Sequence, residues 1–254
     1  MIIKLHSLIL CLLCILPSIL VHKSTRCNRS CGTVLAKNLP FPFGFSSGCQ
    51  ILLNCTTNGT MVIHDFPVQQ ITSDSILVKI PAECGCPVET LQHLFSPNYA
   101  PTSQNAIFLQ NCTSPLTPCE IPTTTVQTHF ELPDCVSKDN IISCYSEPNN
   151  QGLFIDYHNL TGVQCRSLLS ATVVSLGNLN NSAVLVDQVV QLGWWLEGDC
   201  QYQYCSEDSS CITNVSPIDG RPEYRCQCLE GFIGDGYRAA LGCRKGMFQL
   251  PEFI

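Results

Sequence analysis

Charged residues are scarce in this chain of 254 residues. Lys, Arg, Asp and Glu together make up 13% of the sequence, whereas they make up roughly 25% of an ordinary soluble domain. The basic residues are the rarer of the two signs, 13 against 20 acidic residues, and the formal net charge is −7. The chain lacks the basic surface that binding to nucleic acids requires, so we exclude that class of function.

Recognisable catalytic motifs are also missing. The sequence contains no G-x-S-x-G and no H-E-x-x-H, and it has no Gly-rich loop, VAIK-like lysine, HRD or DFG motif. These motifs carry the nucleophile, the zinc site and the phosphoryl-transfer machinery of large enzyme classes. The six histidines have no partner at a recognisable spacing. We therefore predict that this polypeptide is not an enzyme and has no kinase activity.

The first 25 residues have the pattern of a secretory signal peptide. A basic residue, Lys4, precedes an apolar run from Leu8 to Val21, which is shorter than the roughly 20 residues of a membrane span. The most apolar later stretch, 168–195, is interrupted by polar residues such as Asp187. We predict a secreted protein of the extracellular space, with no membrane span in this chain.

Seven N-x-S/T sequons support export. Such sequons accept N-linked glycans in secreted proteins and are therefore expected at the surface. The predicted acceptors are Asn28, Asn54, Asn58, Asn111, Asn159, Asn180 and Asn214.

Cysteine is the abundant residue, with 19 copies. In an exported protein this number indicates disulfides. Two cysteines lie in the signal peptide; of the rest, eleven lie from Cys27 to Cys165 and six from Cys200 to Cys243. Eleven is odd, so at least one cysteine of the first group cannot pair within it. Cys84 and Cys86 are the candidates, because neighbours this close compete for the same partners.

The last six cysteines have the spacing C-x4-C-x5-C-x14-C-x-C-x14-C, with a glycine–aromatic turn between the fifth and the sixth. This pattern resembles an epidermal-growth-factor-like (EGF-like) module, which we place at 196–244 with a short tail at 245–254. The resemblance implies the pairs Cys200–Cys211, Cys205–Cys226 and Cys228–Cys243.

Calcium is the one cofactor that this module suggests. Glu197 and Asp199 precede its first cysteine, and calcium prefers such oxygen ligands. They form a poor version of the acidic cluster of calcium-binding EGF-like modules, so we predict no metal and keep calcium as the alternative.

The first cysteine group begins with C-x3-C-G at Cys27, followed by the sequence LPFPFGF at 39–45 and Gly48-Cys49. These motifs resemble the galacturonan-binding domain of plant wall-associated receptor kinases and their kinase-like relatives, which we place at 26–90. Gly193-Trp194-Trp195 resembles the same receptors. Short β-prone runs at 61–63, 76–80, 107–109 and 153–157 predict strands. We expect a mainly β, disulfide-rich protein of two modules, with a cysteine-containing β-rich region at 91–195.

The resemblance implies that the chain binds a pectic polysaccharide, but its charge opposes this. Between Cys27 and Cys165 there are four basic residues against ten acidic ones, and a polyanion such as galacturonan is repelled by net negative charge. Three routes to binding remain: calcium bridging, a local basic group, or aromatic faces. The candidate residues are Arg26, Arg29, Lys37, Phe41, Phe43, Trp194 and Trp195. For the two phenylalanines core packing is the favoured alternative, and for the three basic residues a solvated loop is. Because adjacent strand residues point to opposite faces, we expect at least one of the two tryptophans to be exposed.

Two other functions remain open. The chain could be a protein-interaction or decoy module that pairs with related receptor ectodomains through the EGF-like module or the unpaired cysteine. It could also be a truncated fragment of a membrane-anchored receptor serine/threonine kinase, because the relatives it resembles continue into a transmembrane helix and a kinase.

Overall fold

A computed structural model describes residues 26–32, 39–114, 120–122, 124, 128, 130, 132, 141–147, 153–173 and 188–246. The predicted signal peptide, Lys37, the sequon at Asn180 and most of the C-terminal tail lie outside these residues. The chain is mainly β and disulfide-rich, as its sequence predicts. The strands that the structure describes are β1 Phe43–Gly44, β2 Ile51–Leu52, β3 Asn54–Cys55, β4 Met61–Ile63, β5 Phe66–Ile71, β6 Ser75–Lys79, β7 Cys86–Pro87, β8 Tyr99–Pro101, β9 Asn105–Gln110, β10 Glu120–Pro122, β11 Ile141–Tyr145, β12 Ser167–Val173, β13 Val189–Trp194, β14 Leu196–Glu197, β15 Ser209–Val215, β16 Pro222–Cys228, β17 Phe232–Gly234 and β18 Cys243–Lys245. A 3-10 helix spans Val88–Leu94, and a short helix, α1, spans Tyr157–Gly162.

A six-stranded sheet has the order β3-β4-β5-β6-β13-β8, and a five-stranded sheet has the order β10-β11-β9-β12-β7. Strands from 26–90 and from 91–195 occur in both sheets. We therefore describe residues 26–195 as one N-terminal module. Every residue of β9 is buried, which fits a central strand that is covered on both faces.

Buried polar side chains connect the two sheets. The Asn105 side chain at the start of β9 donates to the Gln191 carbonyl of β13 at 2.8 Å and accepts from the Gln191 N–H at 2.8 Å. The Ser170 hydroxyl of β12 donates to the Ile80 carbonyl at 2.8 Å. Since a buried polar group without a partner costs free energy, these bonds fix how the sheets meet.

One strand prediction is wrong. The run 153–157 forms an isolated bridge from Phe154 to Thr102 and then enters α1. The cause is Asp156, whose carboxylate accepts from the N–H groups of His158 and Asn159 at 2.7 and 3.1 Å. This is an N-cap, and it starts a helix where the apolar pattern alone favours a strand.

Disulfides join the first residues of the N-terminal module to the loop that follows β1 and to β3. They are Cys27–Cys49 and Cys31–Cys55, and a third bond, Cys112–Cys165, joins the segment after β9 to the segment before β12 of the five-stranded sheet. Cys84 is also disulfide-bonded, whereas Cys86 is the free cysteine among the described residues. Cys86 lies on β7, at the edge of the five-stranded sheet.

The EGF-like module consists of a three-stranded sheet, β14-β16-β15, and the hairpin β17–β18. Its disulfides are Cys200–Cys211, Cys205–Cys226 and Cys228–Cys243, the three pairs that the resemblance implies. A module of this size buries too little apolar surface to fold on that basis alone, so these bonds supply much of its stability.

The two modules share one hydrophobic core. Tyr237 of the EGF-like module is 2% exposed and belongs to the same cluster as Phe43 and Trp194. On β16, Arg225 donates to the carbonyl groups of Asp74 and Trp194 at 3.1 and 3.4 Å. The EGF-like module is therefore packed against the N-terminal module in a fixed orientation.

The asparagines of the six sequons that the structure describes are all exposed. Glycan attachment requires an exposed asparagine, and each of these positions meets that requirement. Glycosylation itself stays a prediction for each of them. The six are Asn28, Asn54, Asn58, Asn111, Asn159 and Asn214.

The close approach of the chain at Gly44 provides a test of the N-terminal fold. A Cβ at this position would overlap the sulfur atoms of both Cys27 and Cys49 and would lie 2.7 Å from the Asn28 carbonyl oxygen. Because overpacking typically costs 1–3 kcal/mol or more, we expect Gly44→Ala to lower stability by about 3 kcal/mol. Thermal unfolding of the secreted protein measures this change. Gly162→Ala is the matched control, since no atom lies within 4 Å of its added Cβ; equal losses in the two variants would contradict the packing described here.

The free thiol is the second test of the fold. We expect alkylation under denaturing, nonreducing conditions to label Cys86 and to leave Cys84 unlabelled, with peptide mass spectrometry as the measurement. Cys86→Ser should remove the label without changing the unfolding midpoint. A Cys86 peptide linked to another cysteine of the same chain would show that the assignment is wrong.

Candidate ligand-binding surface

Residues 26–32 form an arm that lies across the loop of the LPFPFGF motif. The Cys27–Cys49 disulfide anchors it. The Phe45 N–H donates to the Asn28 carbonyl at 2.7 Å, and the Asn28 N–H donates to the Ser46 hydroxyl at 2.9 Å. These contacts hold the backbone of the arm in place, so its two arginines project from an ordered position.

Arg29 and Phe41 lie together at the surface. The guanidinium carbon of Arg29 is 5.8 Å from the centre of the Phe41 ring, a cation–π distance. Arg29 is exposed and Phe41 is half-buried. On its other side the Phe41 ring meets Tyr237 of the EGF-like module, with 4.9 Å between the ring centres. The surface therefore lies at the junction of the two modules.

Among the residues that the structure describes, no carboxylate forms an ion pair with either arginine of the arm. Within the described parts of the chain the one ion pair is Arg221–Asp219, and both Arg26 and Arg29 are exposed. A guanidinium group presents N–H donors in a planar fork that binds carboxylates in a bidentate way. The pair can thus bind an anionic ligand, and the Phe41 ring adds an apolar contact. We call Arg26, Arg29 and Phe41 the arm site.

The tryptophan expectation is wrong, because Trp194 and Trp195 are each 2% exposed. Their side chains do point in different directions, but each direction is covered. Trp194 packs edge-on against Phe43 at 5.0 Å and donates to the Thr72 carbonyl. Trp195 packs against Phe154 at 5.0 Å and donates to the Pro97 carbonyl at 2.7 Å.

The ligand contact predicted for Phe43 is wrong for the same reason. It is 0% exposed and lies in the core with Trp194, so it cannot present its ring to a sugar. Of the residues predicted to bind the ligand, the structure thus brings Arg29 and Phe41 together at the surface, and Arg26 is exposed on the same arm. Lys37 lies outside the described residues.

The structure gives no support for a calcium site at the start of the EGF-like module. Glu197 and Asp199 are exposed. In the described residues, the one set of three potential ligand residues close enough for a single ion is Cys200, Cys205 and Cys211. These three sulfurs are all in disulfides, so they are not available as thiolate ligands.

Sequence reasoning missed Glu223, which is 3% exposed on β16 at the module junction. Its Oε2 atom has no hydrogen-bond partner among the described residues. Burial is the main cause that raises the pKa of Glu223 to about 7; nearby Asp219 raises it further, and Arg225 opposes the shift. Across the sheet Glu223 faces Glu197 on β14 and Asn214 on β15. No sequence signal indicated the burial of Glu223, since a glutamate beside a proline in a hairpin is usually exposed.

Three proteins of Arabidopsis thaliana resemble the chain over most of its length. Wall-associated receptor kinase-like 14 is 35% identical over 228 residues, which cover 86% of this chain and 32% of that protein. Wall-associated receptor kinase-like 21 is 32% identical over 256 residues, covering 91% of this chain and 38% of that protein. This chain is a homologue of the wall-associated receptor kinase-like proteins.

A third relative, a probably inactive receptor-like protein kinase, is 24% identical to this chain over 251 residues, covering 89% of this chain and 36% of that protein. The chain spans about a third of the length of the curated relatives it matches. No family model matches the chain, and no solved structure matches it. Among the described residues, none of the helices has the length and apolar character needed to cross a bilayer.

The buried Glu223 predicts that the stability of this chain at the junction of its two modules depends on pH. A pKa raised from 4.5 to about 7 means that the folded protein holds the proton more tightly than the unfolded chain. The stabilisation of the folded protein by protonated Glu223 is present in full below pH 4.5, the pKa of this group in the unfolded chain. It is lost as the pH rises through about 7, its pKa in the folded protein. At about 1.4 kcal/mol per pKa unit, the loss amounts to at most about 3 kcal/mol.

Denaturant unfolding between pH 4.5 and pH 8 measures this effect. Glu223→Gln should flatten the profile and make the protein more stable than the wild type at pH 8. Glu197→Gln, at the exposed position opposite, should leave the profile unchanged. A wild-type profile that is already flat would contradict the assignment.

Proposed function

We propose that the chain is a noncatalytic extracellular protein that binds pectic polysaccharide of the galacturonan type through the arm site. The observation that supports this most is the cation–π pairing of exposed Arg29 with the Phe41 ring, on an arm that is held by a disulfide and also carries exposed Arg26. Among the described residues neither arginine forms an ion pair with a carboxylate. A galacturonate residue has a carboxylate that a guanidinium group can bind and a C–H face that can pack on an aromatic ring. The names of the relatives, which place them at the wall, agree with such a ligand.

Local charge, rather than net charge, decides this binding. The chain carries a formal charge of −7, so a polyanion is repelled at long range, most strongly at low salt. The arm site acts at short range, where each charged hydrogen bond contributes about 1.5–3 kcal/mol. We therefore expect modest affinity that depends on contact geometry, and calcium ions can reduce the repulsion by binding the polysaccharide.

A second candidate function follows from Cys86. A free thiol at the edge of a sheet favours a module that pairs with another chain, such as a related receptor ectodomain, through a disulfide. This alternative predicts dimers on a nonreducing gel that Cys86→Ser abolishes. A further alternative, a fragment of a longer receptor kinase, agrees with the share of the relatives that the chain covers; sequencing of full-length transcripts decides it.

The arm site gives the test of galacturonan binding. We expect the double substitution Arg26→Gln/Arg29→Gln to weaken binding of the secreted, glycosylated protein at least tenfold, which corresponds to about 1.4 kcal/mol. Binding to immobilised homogalacturonan is measured by biolayer interferometry, with calcium and with EDTA.

The matched control is Arg244→Gln/Lys245→Gln, which removes the same charge from two exposed residues of β18. It should leave the affinity within a factor of two or so, in line with the weak effect of isolated surface charges. If the wild-type protein binds in neither condition, the proposed function is wrong. If both double variants bind equally well, the arm site is not the binding surface.

A further inference from the structure

The EGF-like module carries a second pairing of arginine and aromatic ring, which the sequence motifs did not reveal. The guanidinium carbon of Arg238 lies 5.6 Å from the centre of the Tyr202 ring. Tyr202 is 86% exposed, the most exposed of the large apolar side chains described. We call these two residues the module site.

The module site is held by the fold of the EGF-like module. The Arg238 N–H donates to the Tyr204 carbonyl at 3.0 Å, and its Nε donates to the Cys205 carbonyl at 3.4 Å. Cys205 is in turn bonded to Cys226 of β16. Because Nε is occupied, the guanidinium plane is oriented and its terminal nitrogens are left for a ligand. Arg238 forms no ion pair with any carboxylate in the described residues.

Polar and aromatic neighbours complete a surface suited to a sugar. Gln201 and Gln203 flank Tyr202, and their side-chain amides bond to each other at 2.8 Å. Tyr204 stacks on Tyr224, with 5.5 Å between ring centres. The exposed ring can pack against the C–H face of a uronate. The amides can bond to its hydroxyl groups, and the cation can bind its carboxylate. A stable protein interface needs about 800 Å² on each partner, which is far more than this small patch provides.

The two sites are connected through the module junction. Arg29 stacks on Phe41, Phe41 contacts Tyr237, and Arg238 directly follows Tyr237. With 3.8 Å between consecutive Cα atoms, these contacts place the Arg238 backbone within about 20 Å of the Arg29 guanidinium group. One polysaccharide chain of several residues is long enough to cover this distance.

We propose that the module site is a second subsite for the same galacturonan chain, with Tyr202 contacting a sugar face and Arg238 binding a uronate carboxylate. This proposal rests on the proposed function. Two linked subsites bind a long ligand more tightly than either does alone, because the second contact forms within the first complex. A ligand that is too short to reach both sites gains nothing from the second.

The experiment compares trigalacturonate with a long oligogalacturonate by isothermal titration calorimetry, using the full secreted chain. The wild type should bind the long oligomer at least tenfold more tightly than the trimer. Tyr202→Ala/Arg238→Gln should reduce this ratio to near one while leaving the affinity for the trimer at the arm site unchanged. Tyr202→Phe, which keeps the ring, should behave like the wild type, and equal unfolding midpoints confirm that all variants are folded.

The outcomes separate the two proposals. If the wild type prefers the long oligomer and the Tyr202/Arg238 double variant keeps that preference, the module site is not a subsite, although the proposed function stands. If the wild type binds neither sugar, galacturonan binding itself is wrong. If the double variant alters self-association in analytical ultracentrifugation but not sugar binding, the patch is a contact between protein chains and our assignment is overturned.

Discussion

The contact of Tyr237 with Phe41 and Trp194 is the interaction on which the arrangement of the chain depends. Its ring lies 4.9 Å from the Phe41 ring and 6.5 Å from the Trp194 ring. Aromatic pairs of this kind contribute about 0.5–1.5 kcal/mol beyond the burial of their area. More important here is position: the contact brings the arm, the end of β13 and the EGF-like module to one place. The arm and the EGF-like module, which carry the two sites, are then held in one fixed arrangement.

Scarcity of charge shapes the remainder of the molecule. With so few ionic groups, stability depends on disulfides, apolar packing and buried hydrogen bonds such as those of Asn105 and Ser170. The arginines that remain acquire specific tasks: Arg225 bonds across the junction, whereas Arg26, Arg29 and Arg238 stay without carboxylate partners among the described residues. Glu223 is the exception, a carboxyl group buried without a complete set of hydrogen-bond partners among the described residues, and we expect it to make the junction respond to pH.

The sequence predicts some of these features and not others, for physical reasons. Cysteine spacing is a local property that carries the resemblance to EGF-like modules, and that resemblance implied the three disulfides seen in the module. Strands such as Met61–Ile63 also follow from short-range preferences. The burial of Trp194 and Trp195 does not follow from such short-range preferences. Each ring is covered by residues about 40 or more positions away in the sequence, such as Phe154 and Tyr237. Alternation gives the direction of a side chain but not what it meets. The pairing of Tyr202 with Arg238 likewise depends on a fold that brings two distant turns together.

The disulfide Cys112–Cys165 has a consequence for the order of events during maturation. Cys112 is the middle residue of the sequon that begins at Asn111. Once the fold has formed, Asn111 has a left-handed backbone, with φ of 56°, and its side-chain amide donates to the Ser167 hydroxyl at 3.4 Å. If Asn111 carries a glycan, we therefore expect it to be attached while the segment is still unfolded, before the bond at Cys112 closes. At this position the rate of oxidation would then compete with the rate of glycosylation, and the faster process would set which form of the chain is produced.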